Sequence, residues 1–165
     1  MRKRFEQQTK IGVELIESVD LSMRSRDELP PLLAGLQYIF VTPELNDSVF
    51  KLLEDKILKG KKKTGRLGMS LWEILVLGAV RLNLDIDYDR LHYISNVDQK
   101  VRGILGVHST TADWDLGKAY KLQTIKDNVG LLDEETIFQI NELLVKSGHE
   151  LKKKRRKSKR KLNYD

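Results

Sequence analysis

The sequence predicts an all-α protein: a compact multi-helix domain with a helix-turn-helix-like core and a disordered basic C-terminal tail. Three observations carry this expectation. Apolar residues recur at spacings of three and four through most of residues 27–151, helix-start signals precede those runs, and neither an internal repeat nor a strand-and-helix alternation is present. The composition is globular, with 40% hydrophobic and 33% charged residues among 165, enough for one domain of ordinary size. The expected division is an N-terminal arm over 1–25, a helical domain over 26–151 and a tail over 152–165.

The arm is the least legible part. Ile11, Val13 and Leu15 alternate with Gly12 and Glu14, a pattern that allows an extended segment but is short. Pro30-Pro31 suits the first turn of a helix, and Leu32, Leu33, Leu36, Ile39 and Phe40 follow at helical spacing until Val41. Thr42-Pro43 then reads as a cap and a first-turn proline. Leu45, Val49, Leu52, Leu53 and Ile57 form one stripe to Lys59, and Gly60 is the expected stop. Two amphipathic helices joined this tightly should pack as a hairpin.

Ser70 with Glu73 three residues on is a capping box introducing a helix over 71–84. Trp72, Ile74, Leu75, Val76, Leu77, Ala79, Val80 and Leu82 make it apolar almost all round, so it should be the central, buried helix. Short helices follow over 88–96, with Leu91 and Ile94 inward, and over 98–105, with Val101, Ile104 and Leu105 inward. Gly106 ends the run, and His108-Ser109-Thr110-Thr111 is a polar link. Leu122, Ile125 and Val129 mark another helix; Ile137, Ile140 and Leu144 mark the last, capped by Asp133, with Glu134 and Glu135 in its first turn, and running to about Leu151.

The absence of cysteine excludes disulfides, a thiol nucleophile and cysteine-ligated metal sites. Arg2-Lys3-Arg4 leads into Glu6-Gln7-Gln8 instead of an apolar stretch, and the longest apolar run, from Ile74 to Val80, is far short of the roughly 20 residues of a membrane span. A soluble intracellular protein without membrane partner or small-molecule substrate is the expectation. The net charge of +6 is unevenly placed. Lys152, Lys153, Lys154, Arg155, Arg156, Lys157, Lys159, Arg160 and Lys161 are opposed within the tail only by Asp165, giving +8, whereas the preceding 151 residues balance at −2. Such a tail should be disordered when free and bind polyanions non-specifically through counterion release.

Gly60-x4-Gly65 has a P-loop spacing, but Arg66-Leu67 stands where Lys-Ser/Thr is required, and a helix precedes it in place of a strand. What remains is a basic loop, Lys61, Lys62, Lys63 and Arg66, before a helix N-terminus. It reads equally as a nucleic-acid phosphate site and as a solvated connector. Asp85-x-Asp87-x-Asp89 opens like a calcium loop, yet Arg90 and Asn96 occupy the glycine and glutamate positions; turn and N-cap residues fit better. The closely spaced acids do not make a two-metal site, and His92, His108 and His149 are too scattered to ligate a metal. The helix over 71–84, its three-residue turn and the helix over 88–96 have helix-turn-helix dimensions. Its outward positions include Asp89, Arg90, His92, Tyr93 and Asn96, the following helix adds Gln99, Lys100 and Arg102, and of these Arg90, His92, Tyr93, Asn96, Lys100 and Arg102 are the candidate DNA contacts, although any three-helix cluster has polar outer faces and the usual turn glycine is missing.

A series of segments carries a family likeness. It starts with Arg4-Phe5-Glu6-Gln7-Gln8, Ser25-Arg26-Asp27-Glu28-Leu29-Pro30-Pro31, Leu36-Gln37-Tyr38-Ile39-Phe40 with Thr42-Pro43-Glu44, and Lys63-Thr64-Gly65-Arg66. It continues through Gly68-Met69-Ser70-Leu71-Trp72-Glu73-Ile74-Leu75-Val76-Leu77, Leu84-Asp85, Tyr88-Asp89-Arg90-Leu91 and Ile104-Leu105-Gly106-Val107 to Tyr120, Gln123-Thr124-Ile125, Asp127-Asn128-Val129 and Leu131-Leu132-Asp133-Glu134-Glu135. Over about residues 1–150 this series resembles the N-terminal region of bacterial insertion-sequence transposases of the DDE class, the ISNCY type in particular. The resemblance implies a domain that holds element-end DNA, the terminal repeats of the insertion sequence, and supports assembly with itself or with an intact transposase. It also implies a bacterial cytoplasmic, nucleoid-associated protein. The family's RNase H-like domain, with three carboxylates and two divalent metal ions, would follow. None of these acids can be assigned here, so a truncated product without cofactor or strand-transfer activity is expected. A helical interaction module that inhibits an intact transposase, or a non-specific nucleic-acid binder, is the alternative.

Overall fold

A computed structural model describes residues 2–5, 11–22, 26–60, 68–109, 111 and 118–162. Its elements are helical: α1 Leu29–Val41, α2 Pro43–Leu53 continued by a π-helical turn Glu54–Leu58, α3 Leu71–Leu84, α4 Tyr88–Val97, α5 Gln99–Leu105, α6 Leu122–Val129 and α7 Glu134–Leu162. There is no strand among the described residues, as the apolar spacing predicts. No helix of the described residues is long and apolar enough to cross a membrane.

Helix α3 is the axle of the fold. Every residue from Leu71 to Val80 is buried, which its nearly continuous apolar sequence requires. Its capping box is formed, Ser70 Oγ accepting from Glu73 N and the Glu73 carboxylate accepting from Ser70 N. α1, α4, α5 and α6 surround it, while α7 packs on α2. Pro30 and Pro31 lie in the first turn of α1, and Pro43 opens α2 after the extended Thr42. The Thr42 side chain makes no cap hydrogen bond; its carbonyl accepts from Asn46 N instead. Lys59 breaks the π turn and Gly60, at φ 74°, reverses the chain as its sequence position suggested.

The described residues of the arm are built into the core, with no strand pairing among them. Lys3 and Arg4 carbonyls accept from Leu71 N and Trp72 N, each at 2.9 Å, so the arm satisfies two of the amides that an α-helix leaves open at its N-terminus. Phe5 meets Phe40 edge-on at 5.1 Å and Trp72 at 6.5 Å, joining an aromatic group completed by Phe50. The Arg4 guanidinium grips Glu54 from Nε at 2.5 Å and Asp47 from Nη1 at 3.0 Å, and these hydrogen bonds raise its pKa. Further along, Ile16, which opens a single 3-10 turn, and Val19, which follows it, are buried, whereas Ile11 and Leu15 are exposed. Their alternation therefore reflects no strand.

The expectation of a disordered tail is corrected. α7 does not stop near Leu151 but continues to Leu162, with every side chain over 151–161 exposed. Lys and Arg are unbranched and lose little freedom in a helix, and the packed first half of α7 supplies the nucleus, so elongation needs only one hydrogen bond per added residue. Cations at a helix C-terminus also complement the backbone dipole.

Candidate nucleic-acid interface

α3 and α4 are joined by a three-residue turn, Asp85 to Asp87. Asp85, at φ 50°, takes the left-handed position that glycine usually fills, and its amide closes on the Arg81 carbonyl. Asp87 caps α4 by accepting from Arg90 N at 2.8 Å. The Arg81 guanidinium lies over the Tyr88 ring, 4.2 Å from its centroid, and links the two helices across the turn.

The predicted contact residues separate into two groups. Arg90, Tyr93 and Lys100 are exposed, Tyr93 by 54%, with the Arg90 guanidinium 5.2 Å above the Tyr93 ring. His92 is half-buried. Asn96 is not available to read a base: its amide donates to the Tyr120 carbonyl at 3.0 Å and accepts from Tyr120 N at 2.8 Å, pinning that strand of chain to α4. Arg102 is a second correction. It is fully buried, and its guanidinium donates to the carbonyls of His108 at 2.5 Å, Ser95 at 3.0 Å and Lys118 at 2.8 Å. One planar cation thus satisfies the last turn of α4 and two connecting segments. Helical spacing placed it on the polar side of α5, but spacing does not reveal that two irregular segments fold over that side.

The exposed N-terminal turn of α4 is acidic, with Asp85, Asp87 and Asp89 all exposed. A recognition helix presents its N-terminal residues to base edges, where three carboxylates repel phosphates. The basic loop carrying Lys61, Lys62, Lys63 and Arg66 lies outside the described residues. The densest cationic surface is the end of α7. Lys152, Lys153, Lys154, Arg155, Arg156, Lys157, Lys159, Arg160 and Lys161 are all exposed on one helix. At 1.5 Å per residue, nine charges over 152–161 give about one per 1.7 Å, comparable to that of duplex DNA at roughly one per 1.7 Å.

Sequence reading missed a polar centre at the start of α3. Glu73, 7% exposed, accepts from Tyr120 Oη at 2.7 Å and Lys118 Nζ at 2.8 Å, besides Ser70 Oγ at 3.1 Å. Burial pushes the Glu73 carboxyl up, but the charge of Lys118 and the hydrogen bonds from Lys118, Tyr120 and Ser70 outweigh it and leave the pKa lowered. Burial and the Glu73 charge hold the Tyr120 phenol well above its ordinary value. The capping-box spacing identified Glu73, but nothing local signalled partners 45 and 47 residues away. Among the described residues no group of three or more His, Asp or Glu is placed to hold a metal ion. Compared with protein-family models, curated proteins and solved structures, the chain matches none.

Proposed function

We propose that the chain is a DNA-binding module of the transposase N-terminal type, with the basic end of α7 as its principal phosphate-contacting element. The observation that carries this reading is the uninterrupted helix over 152–161 bearing nine exposed cations. A helix with side chains is about 10–12 Å across and the major groove of B-DNA about 12 Å wide, so such a helix can lie in the groove and neutralise phosphates on both walls. Arg90, Tyr93 and Lys100 are the exposed side chains available for a second contact. Their acidic surroundings limit them to positioning, so affinity should come from α7 and the Lys61 to Arg66 loop. In this reading the chain holds DNA and performs no strand chemistry.

The test is a salt titration of binding to insertion-sequence terminal repeats and to scrambled duplex of equal length. Tighter binding to the repeats supports element-end recognition; equal binding to both, abolished by removing residues 152–165, overturns it in favour of non-specific binding. Each phosphate contact contributes about −0.9 to the slope of log K against log salt, so loss of the tail should flatten that slope by several units. Metal-dependent strand transfer by the purified chain would overturn the assignment of a purely binding role.

A further inference from the structure

Helix α7 has two apolar faces, and the fold uses one. Ile137 and Ile140 are buried and Leu143 and Leu144 half-buried against the domain. On the other side Phe138 is 62% and Val145 57% exposed, seven residues apart and hence on one line of the helix, flanking a shallow groove with Asn141, Glu142, Lys146 and His149. A solvated phenylalanine and valine in register on a long helix are an unpartnered seam.

The charge along α7 says what covers it. Residues 134–150 hold four acids, Glu134, Glu135, Glu142 and Glu150, against Lys146, whereas 152–161 hold nine cations and no acid. A second α7 laid parallel would set cation against cation along the whole distal half. Laid antiparallel, with Phe138 opposite Val145, it sets Glu134 opposite His149 and one turn from Lys152 and Lys153, and the relation repeats by symmetry at the other end. Of the two orientations, only the antiparallel one brings the acidic start of each helix near the basic stretch of the other; Glu142 of each lies beside the two-fold axis, so the contact there is carried by Phe138 and Val145.

We propose that this face pairs antiparallel with the same face of a second copy of the chain, Phe138 of each packing on Val145 of the other. The two basic ends then leave the dimer in opposite directions, their far turns clear of the pairing. The pairing does not depend on the DNA reading, since phosphate contact by one α7 needs no dimer.

Sedimentation of the full chain in the absence of nucleic acid tests the association, and pulsed electron paramagnetic resonance tests its direction. The chain has no cysteine, so Ser158→Cys accepts a single nitroxide label away from the seam. The expected results are a concentration-dependent dimer, a dissociation constant raised at least tenfold by Phe138→Asp with an unchanged circular dichroism spectrum, and a label-to-label distance of about 50 Å. That distance follows from 33 residues of axial offset at 1.5 Å each. A chain that stays monomeric to about 100 μM, a dimer indifferent to Phe138→Asp, or a distance of roughly 20 Å or less, the mark of parallel pairing at ordinary interhelix spacing, would each overturn the proposal. In the monomeric case the seam belongs to a different protein.

Discussion

The Tyr120 hydroxyl donates to Glu73 Oε2 at 2.7 Å across 47 residues of sequence, and through it the segment before α6 is tied to the first turn of α3. The two shifts have opposite signs, and both favour the folded state at neutral pH. The folded Glu73 pKa lies below its ordinary 4.5, so its contribution to stability is complete above that pH and is lost as pH falls through the folded value. The folded Tyr120 pKa lies above its ordinary 10.0, so its contribution is complete below pH 10 and disappears as the unfolded chain ionises at higher pH. Tyr120→Phe should lower stability by about 1.5–3 kcal/mol at neutral pH, as expected for a hydrogen bond to a charged group, and flatten the fall in melting temperature above pH 10. Glu73→Gln should flatten the acid limb. Melting curves from pH 3 to 11 for the three proteins check both.

Arg102 and Arg90 were equivalent candidates by sequence spacing, and their environments now separate them. Arg102→Ala strands the buried carbonyls of Ser95 and His108, removes a donor from that of Lys118 and leaves a cavity, and is expected to destabilise the fold by about 3 kcal/mol or more. Arg102→Lys, with a point charge in place of a planar fork, should recover only part of that. Arg90→Ala should stay within about 0.5 kcal/mol of the parent and weaken DNA binding with a smaller salt slope. Urea denaturation paired with binding isotherms distinguishes the two; an Arg90 variant that melts early, or an Arg102 variant that folds normally and loses only DNA affinity, reverses the assignment.

What the sequence made legible was local. The prolines of α1 and α2, the Ser70-Glu73 box, the Asp87 and Asp133 caps and the reversing Gly60 and Gly106 each act within four residues of themselves, and each is found in the fold. What stayed hidden depends on distant chain: the arm that caps α3, the Tyr120 hydroxyl on Glu73, the carbonyls around Arg102. The tail differs from its expected disorder for another reason. Low hydrophobicity argues against burial, but a helix continued from a packed segment needs no burial of its own.

The arm makes its own prediction. Phe5→Ala removes an aromatic edge from Phe40 and Trp72 and should cost about 2 kcal/mol, less than a fully buried phenylalanine because Phe5 is half-exposed. Deleting residues 1–5 should cost more, since Leu71 N and Trp72 N lose their carbonyl partners as well. Hydrogen exchange at these two amides should then accelerate by at least tenfold relative to the middle of α3. Unchanged protection would mean that the arm is not what caps the helix.

Gly78 in the middle of α3 gives the sharpest contradiction between helix propensity and packing. In an isolated helix, alanine in its place would add up to about 1 kcal/mol of stability. Here Leu132, 4% exposed at the junction of α6 and α7, occupies the space a Cβ would need, its own Cβ and Cγ standing 3.3 Å from that position. The closest atom is Leu132 Cδ2, so Leu132 has to turn its side chain within a packed site and its Cβ and Cγ have to give by a few tenths of an ångström. Overpacking of this kind costs about 1–3 kcal/mol, so Gly78→Ala should be neutral to destabilising by about 2 kcal/mol, opposite to its propensity. Gly78→Ala combined with Leu132→Ala should be less destabilised than the sum of the two single variants, because the second removes the atoms that the first displaces. Additive losses in thermal denaturation would show that α3 and the α6–α7 junction do not press on each other at this position.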